Sequence, residues 1–307
     1  PDMLLTYLEK NLRFFFEPPF QYIFGILALI ASVLSLQHWE SLVSSLKELF
    51  ALSSIPLILL VVIIGATIHE FAHGIALKHY GGRVKEMGIM FLYFIPALYC
   101  NVSDAWLLKK RERIVVALAG GYIQVFMWAV ATILWRLLAP DTLASRICLI
   151  SIMFDGILSI FNLNPLIRLD GYYVLSDYVE IPNLRPKALT YIKNRWLTLL
   201  TGTEHAGNYK PNPREKRIIL TYGTFSCIFT AGLLLYMAHL IGGWMVREYR
   251  TWGMIMFTVL FAMTAPTVLK VKVPASGKFV KAVFTRIYKS PKLAIASILI
   301  LLGLFFP

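Results

Sequence analysis

The chain has 307 residues, of which 58% are hydrophobic and 15% are charged, and its mean hydropathy is +0.66. A water-soluble core of this size cannot bury so many apolar side chains, so the composition excludes a soluble globular protein and indicates a polytopic membrane protein. The net charge of +13 does not indicate a nucleic-acid partner, because the basic residues interrupt apolar stretches and form no separate soluble domain. Membrane lipid head groups are the expected counter-charge.

Seven apolar stretches approach or exceed the roughly 20 residues that cross about 30 Å of hydrocarbon. A further apolar segment, 87–102, is too short for a confident crossing and is interrupted by Pro96, so we interpret it as re-entrant or β-like. The sequence therefore predicts an all-α polytopic membrane protein with about seven transmembrane helices. The predicted spans are 19–37, 53–77, 113–138, 145–164, 218–242, 252–270 and 292–307.

These spans divide the chain into four predicted regions. Residues 1–52 hold an N-terminal segment and the first transmembrane helix, and 53–175 form the membrane core. Residues 176–217 form a cytoplasmic loop with an interfacial helix, indicated by apolar residues at helical spacing. Residues 218–307 hold the C-terminal transmembrane helices.

The distribution of Lys and Arg predicts the orientation. The segments 1–18, 78–113, 165–217 and 270–292 hold 25 of the 30 basic residues. By the positive-inside rule these segments lie in the cytoplasm, and with them the N-terminus. We expect an integral protein of a bacterial cytoplasmic membrane.

A His-Glu-x-x-His pattern, His69 to His73, lies near the predicted cytoplasmic end of the second span. Histidines four apart project from one helix face and can bind one metal ion, and Glu70 is offset by one residue. In this arrangement zinc acidifies a bound water molecule, and the glutamate accepts its proton during attack on a peptide carbonyl. The same ligands also suit cobalt or iron.

Three residues compete as the third protein ligand. His79 has the spacing of extended three-histidine zinc motifs, but Ala76 stands where those motifs have glycine. Asp155 lies in the middle of the fourth span, where a lone carboxylate is more often a packing or pocket group. Asp170 follows Pro165, which is expected to end the fourth helix at the level of the histidines.

The chain resembles the site-2 protease family of intramembrane zinc metalloproteases. The family joins His-Glu-x-x-His on one span to Asn-x-x-Pro…Leu-Asp-Gly on a later one, and here the second signature runs from Asn162 to Gly171. The resemblance implies that His69, His73 and Asp170 bind Zn²⁺ and that Glu70 is the base. It implies that Asn162 holds the substrate backbone or oxyanion, a role that Asn164 could share or replace.

A finer resemblance links the runs 102–106, 118–122 and 169–173 to a bacterial subgroup of peptide zinc metalloproteases. In that subgroup, further spans often lead into adaptor-like regions of secretion systems. The expected function is therefore intramembrane zinc endopeptidase activity on a membrane-inserted or membrane-associated peptide, in peptide maturation or export. Two alternatives stay open: a non-catalytic peptide-binding component of a secretion system, and a metal transporter.

Overall fold

The computed structural model of the chain describes residues 1–49, 54–92, 95–140, 142–201 and 211–269. The chain divides into two compact units, Pro1–Pro182 and Asn183–Pro307. Within its described residues the first unit contains seven α-helices and a two-stranded sheet: α1 (Asp2–Leu12), α2 (Pro18–Gln37), α3 (Trp39–Glu48), α4 (Ile55–His79), β1 (Met87–Leu92), β2 (Ile95–Cys100), α5 (Lys110–Leu137), α6 (Leu143–Leu163) and α7 (Asp170–Val179). The second unit contains α8 (Leu184–Thr201) and α9 (Pro213–Leu269).

Five helices in the described residues are long and apolar enough to cross a membrane. Four of them, α2, α4, α5 and α6, coincide with the first four predicted spans within a few residues. The predicted fifth and sixth spans fall on α9, which is counted once although its backbone is kinked at Arg250, where φ is 48°. The predicted span 292–307 lies outside the described residues, so a total of seven stays a prediction.

The ends of the central helices follow local sequence rules. Pro56 stands in the first turn of α4, where its missing N–H and fixed φ are tolerated. The Thr142 side chain caps α6 by accepting a hydrogen bond from the backbone N–H of Ser145. At its other end α6 stops at Leu163, as predicted from Pro165, whose ring disfavours helical geometry at Asn164.

The segment predicted as re-entrant or β-like is an antiparallel hairpin. Its register runs from the Met87–Cys100 pair to the Leu92–Ile95 pair. The strand interpretation is therefore confirmed, and the hairpin places the end of β2 against α4.

Buried apolar side chains join the C-terminal half of α4 to α1 and to the start of α5. Leu5 and Leu77 are fully buried in this cluster, next to Val84 and Val116. Asp2 holds α1 in place because its carboxylate accepts hydrogen bonds from the Lys78 ammonium and from the backbone N–H of Val84. The sequence did not predict α1, although α1 completes the packing around the helix that carries both histidines.

In the second unit, α8 packs against α9. A side chain at Gly223 would meet Ala188 and Ile192, so the glycine allows the two helices to approach closely. Beyond the kink, Phe257 lies beside Gly242, which shows that the two parts of α9 fold back on each other. The helix predicted within 176–217 corresponds to α8.

Candidate metal and catalytic site

His69 and His73 point from one face of α4 into the interior of the first unit. They are 8% and 7% exposed, and their Nε2 atoms lie 3.1 Å apart. The Nδ1–H of His73 donates a 2.7 Å hydrogen bond to the backbone carbonyl of Val116 on α5. Because neutral imidazole has a single N–H, this bond leaves the Nε2 lone pair of His73 directed towards His69.

Asp170 completes the group from a different element. After α6 ends, the chain turns and α7 begins at Asp170, a favourable place for a carboxylate because helix N-termini carry partial positive charge. Its Oδ2 atom lies 3.2 Å from Nε2 of His69 and 3.5 Å from Nε2 of His73. The predicted return of the chain to the histidines is therefore present, although the sequence did not predict that a helix starts there.

The three ligand atoms have the spacing of a metal site. In tetrahedral zinc, bonds of about 2.0–2.2 Å place neighbouring ligand atoms about 3.3–3.6 Å apart, and the three distances here, 3.1, 3.2 and 3.5 Å, lie close to that range. Oδ2 of Asp170 is buried and accepts no hydrogen bond from the described residues. His69, His73 and Asp170 could therefore hold a metal ion, and their two-nitrogen, one-oxygen donor set suits zinc.

Gly120 on α5 leaves room for the rings of His69 and His73. A Cβ at this position would lie within 2.5 Å of Nε2 of both His69 and His73. No larger residue fits there without moving a histidine. The sequence reasoning missed this role, although a Gly120-Gly121 pair inside an apolar span is a signal that could have revealed it.

Glu70 projects from a neighbouring face of α4 towards the hairpin. Its Oε2 accepts a 3.0 Å hydrogen bond from the backbone N–H of Cys100, the last residue of β2. Burial raises the pKa of the Cys100 thiol to about 12, and the Glu70 charge acts in the same direction. Cys100 therefore stays protonated near neutral pH, and among the described residues it is not part of the potential metal group.

The two asparagines differ in what they contact. Asn162 donates a 2.9 Å hydrogen bond from its side-chain amide to Oε1 of Gln124 on α5, a residue that is 2% exposed. Asn164 instead accepts a hydrogen bond from the backbone N–H of Leu166, which stabilises the turn after α6. The sequence reasoning also missed Gln124. The signal that could have revealed it is an uncharged polar residue one turn beyond Gly120 within the same span.

The two other candidate ligands lie apart from the group of three. His79 forms a 3.0 Å contact with Oε1 of Glu9 through Nδ1 and stacks on Phe16. Asp155 is 3% exposed on α6, and its Oδ1 lies close to Gly65 of α4. Among the described residues, the potential metal group contains neither of them.

The described structure thus shows a mostly helical protein, with five helices long and apolar enough to cross a membrane and a two-histidine, one-aspartate group that could bind a metal, next to a glutamate. The chain is 24% identical over 185 residues to a Bacillus subtilis (strain 168) protein named "Putative peptide zinc metalloprotease protein YydH". The alignment covers 60% of this chain and 70% of that protein. No protein-family model matches the chain, and no solved structure matches it. The similarity supports a relation to zinc metalloproteases.

Proposed function

We propose that this protein is an intramembrane zinc endopeptidase of the site-2 protease type. The observation that supports this most is the convergence of His69, His73 and Asp170, from two separate elements, on one point beside Glu70. Zinc bound there would polarise a peptide carbonyl and make water acidic enough to lose a proton near neutral pH. The relative from Bacillus subtilis has a name consistent with that chemistry.

Glu70 is the proton carrier in this proposal. Its carboxylate accepts a proton from the attacking water molecule as the new C–O bond forms at the scissile carbonyl. It then gives the proton to the departing amide nitrogen as the C–N bond breaks. The hydrogen bond from Cys100 orients the Glu70 side chain while leaving lone pairs free for the water.

Asn162 is the proposed donor to the substrate backbone or to the developing oxyanion. An asparagine amide has two hydrogens, and the bond to Gln124 uses one of them. The second is therefore free to reach a substrate oxygen. Asn164 contributes in a different way, through the turn that leads to Asp170.

The proposed substrate is a membrane-inserted or membrane-associated peptide. A peptide bond within a helix is shielded by its own hydrogen bonds, so the substrate must unwind locally before cleavage. Each strand of a two-stranded sheet has an unpaired edge, and we propose that the unwound segment adds a strand to the β1–β2 hairpin. Because the Cys100 N–H donates a hydrogen bond to Glu70, the end of β2 lies next to the proposed base.

The proposed location is a bacterial cytoplasmic membrane, with the N-terminus in the cytoplasm and cleavage near that face. The basic residues supply the argument for orientation. A role in peptide maturation or export, with export components as partners, is the biological context we propose.

The proposal is tested with the full chain purified in lipid nanodiscs. We expect wild-type protein to contain zinc and to cleave membrane-spanning peptides, as detected by mass spectrometry. Glu70→Gln should keep its zinc and lose at least about a hundredfold in turnover, because a neutral amide cannot accept the proton. Asp170→Ala should lose most of its zinc. Glu86→Gln is the matched control, because Glu86 contacts Asn101 away from the three proposed ligands, and it should behave like wild type.

Three outcomes would reject the proposal. Unchanged turnover in Glu70→Gln would exclude the mechanism. Wild-type protein that binds export peptides tightly without cutting them would instead favour a peptide-binding secretion component. Zinc flux into proteoliposomes that Asp170→Ala abolishes would favour a transporter.

A further inference from the structure

The second ring nitrogen of His69 lacks a hydrogen-bond partner among the described residues. Nε2 of His69 faces His73 and Asp170, so Nδ1 must carry the proton whenever Nε2 binds a metal. Nδ1 is nevertheless buried and unpaired, whereas Nδ1 of His73 has the Val116 carbonyl. Metal-binding histidines almost always donate this N–H to a carboxylate, a carbonyl or water. His69 therefore needs an acceptor on the side away from the proposed zinc.

Asp155 is positioned to be that acceptor. Its Oδ1 lies 3.2 Å from the point that a Cβ on Gly65 would occupy. Gly65 is one helical turn before His69 on the same face of α4, and helical side chains lean back over the preceding turn. The His69 ring and the Asp155 carboxylate therefore approach the same space above Gly65, which the glycine leaves open.

Among the described residues, the structure shows no ion pair that would explain the charge of Asp155. It is 3% exposed in the middle of a membrane-spanning helix, where an ionisable side chain is costly unless it has a partner. Ser151, one turn earlier on α6, and His69 are the polar neighbours of its carboxylate. The carboxylate, the Ser151 hydroxyl and Nδ1 of His69 supply the three polar partners that a buried water molecule requires.

We propose that Asp155 is a positioning residue for the metal centre, which accepts the hydrogen bond from Nδ1 of His69 through one bridging water molecule. This bond fixes the tautomer and the ring orientation of His69, so that Nε2 presents its lone pair to the ion. His69 and His73 then have separate supports, Asp155 on α6 and the Val116 carbonyl on α5. The inference rests on the proposed zinc site, because it assigns a supporting residue to that site.

Zinc affinity tests the inference without relying on turnover. The full chain in nanodiscs is stripped of metal and titrated with zinc against a chelating competitor. Asp155→Ala is expected to weaken zinc binding by about 10- to 100-fold, the usual effect of losing such a partner. Asp155→Asn keeps an acceptor oxygen and should lose less. Ser159→Ala is the matched control, because this buried hydroxyl of α6 has the local Gly156 carbonyl as its one hydrogen-bond partner among the described residues, and the variant should bind zinc like wild type.

The outcomes separate this inference from the proposed function. Wild-type protein that binds no zinc would overturn the proposed function itself. Wild-type protein that binds zinc, with Asp155→Ala equally tight, would overturn only the role of Asp155. Asp155→Asn as weak as Asp155→Ala, or Ser159→Ala as weak as either, would also overturn it.

A spectroscopic measurement decides the question if Asp155→Ala does not fold. In protein labelled with ¹⁵N-histidine, the Nδ1 proton of His69 in the zinc form should resonate at lower field in wild type than in Asp155→Asn. The reason is that a water polarised by a carboxylate is a stronger acceptor than one next to a neutral amide. An unchanged resonance would overturn the inference.

Discussion

The side chain of Asn162 on α6 is held by Gln124 on α5 through a hydrogen bond of 2.9 Å. Gln124 is almost completely buried, so water cannot replace it as an acceptor without entering the helix interface. We predict that Gln124→Ala lowers the turnover of peptide substrate by about tenfold, because a freed amide spends less time in the geometry that stabilises the oxyanion. Zinc content should not change, since Gln124 is hydrogen-bonded to Asn162 and is not part of the potential metal group.

A double-mutant cycle checks this relationship. Asn162→Ala should lower turnover at least as much as Gln124→Ala, and the double variant should be no slower than Asn162→Ala alone. Additive losses would show that Gln124 acts on something other than Asn162. A loss of zinc in Gln124→Ala would show that the variant disturbs the metal group.

Replacement of Gly120 should disrupt the metal site although all three proposed ligands remain in the sequence. A methyl group at this position falls within 2.5 Å of both histidine Nε2 atoms. We predict that Gly120→Ala contains less than about a tenth of the wild-type zinc, because coordination tolerates only a few tenths of an ångström in ligand position. Plasma emission spectrometry of the purified protein measures this. Gly25→Ala on α2 is the control, because a Cβ there has nothing within 4 Å, and wild-type zinc in Gly120→Ala would contradict the geometry.

The sequence was sufficient to predict features that depend on spacing along one element. Four-residue spacing placed His69 and His73 on one helix face, and Pro165 ended α6 where a return of the chain to the histidines was expected. The apolar segment 87–102, short and interrupted by Pro96, indicated the hairpin only as one of two interpretations. These predictions need no knowledge of how helices pack.

Contacts between elements could not be predicted in the same way. The support of His73 by the Val116 carbonyl, and the contact of Glu70 with the Cys100 N–H, depend on helix rotation and on hairpin register. A residue pattern shows which face of an element is apolar and which is polar. It does not say which neighbouring element each face contacts. For the same reason α7 was missed, since a short helix after a proline-containing turn has little periodic signal.

Cys100 should report the charge of Glu70 through its reactivity. Its thiol has a pKa of about 12, raised by burial and then by the Glu70 carboxylate, so about one molecule in ten thousand is thiolate at pH 8. We predict that alkylation of Cys100 by iodoacetamide is slow at pH 8 and accelerates about tenfold per pH unit up to pH 11. Glu70→Gln should accelerate it at every pH in that range, because removing a nearby negative charge lowers the thiol pKa.

Peptide mass spectrometry quantifies the alkylation of Cys100 separately from that of the other cysteines. Glu86→Gln serves as the control, because burial and the Glu70 charge, not Glu86, raise the pKa of Cys100. A rate that levels off near pH 9 would contradict the high pKa. An unchanged rate in Glu70→Gln would contradict the contribution of the Glu70 charge.

Gly171 determines whether α7 can bring Asp170 to the histidines. A Cβ on Gly171 would collide with the backbone carbonyl of Leu163, at the end of α6, and backbone atoms cannot move aside as a side chain can. We predict that Gly171→Ala displaces the start of α7 and lowers zinc content nearly as far as Asp170→Ala, although all three ligands remain. Gly121→Ala is a matched control, because its Cβ meets the same Leu163 only at the flexible side chain, which can change rotamer. Zinc analysis of both variants should show a severe loss in the first and a small one in the second. Equal zinc in the two variants would mean that the backbone contact between α6 and α7 does not control the position of Asp170.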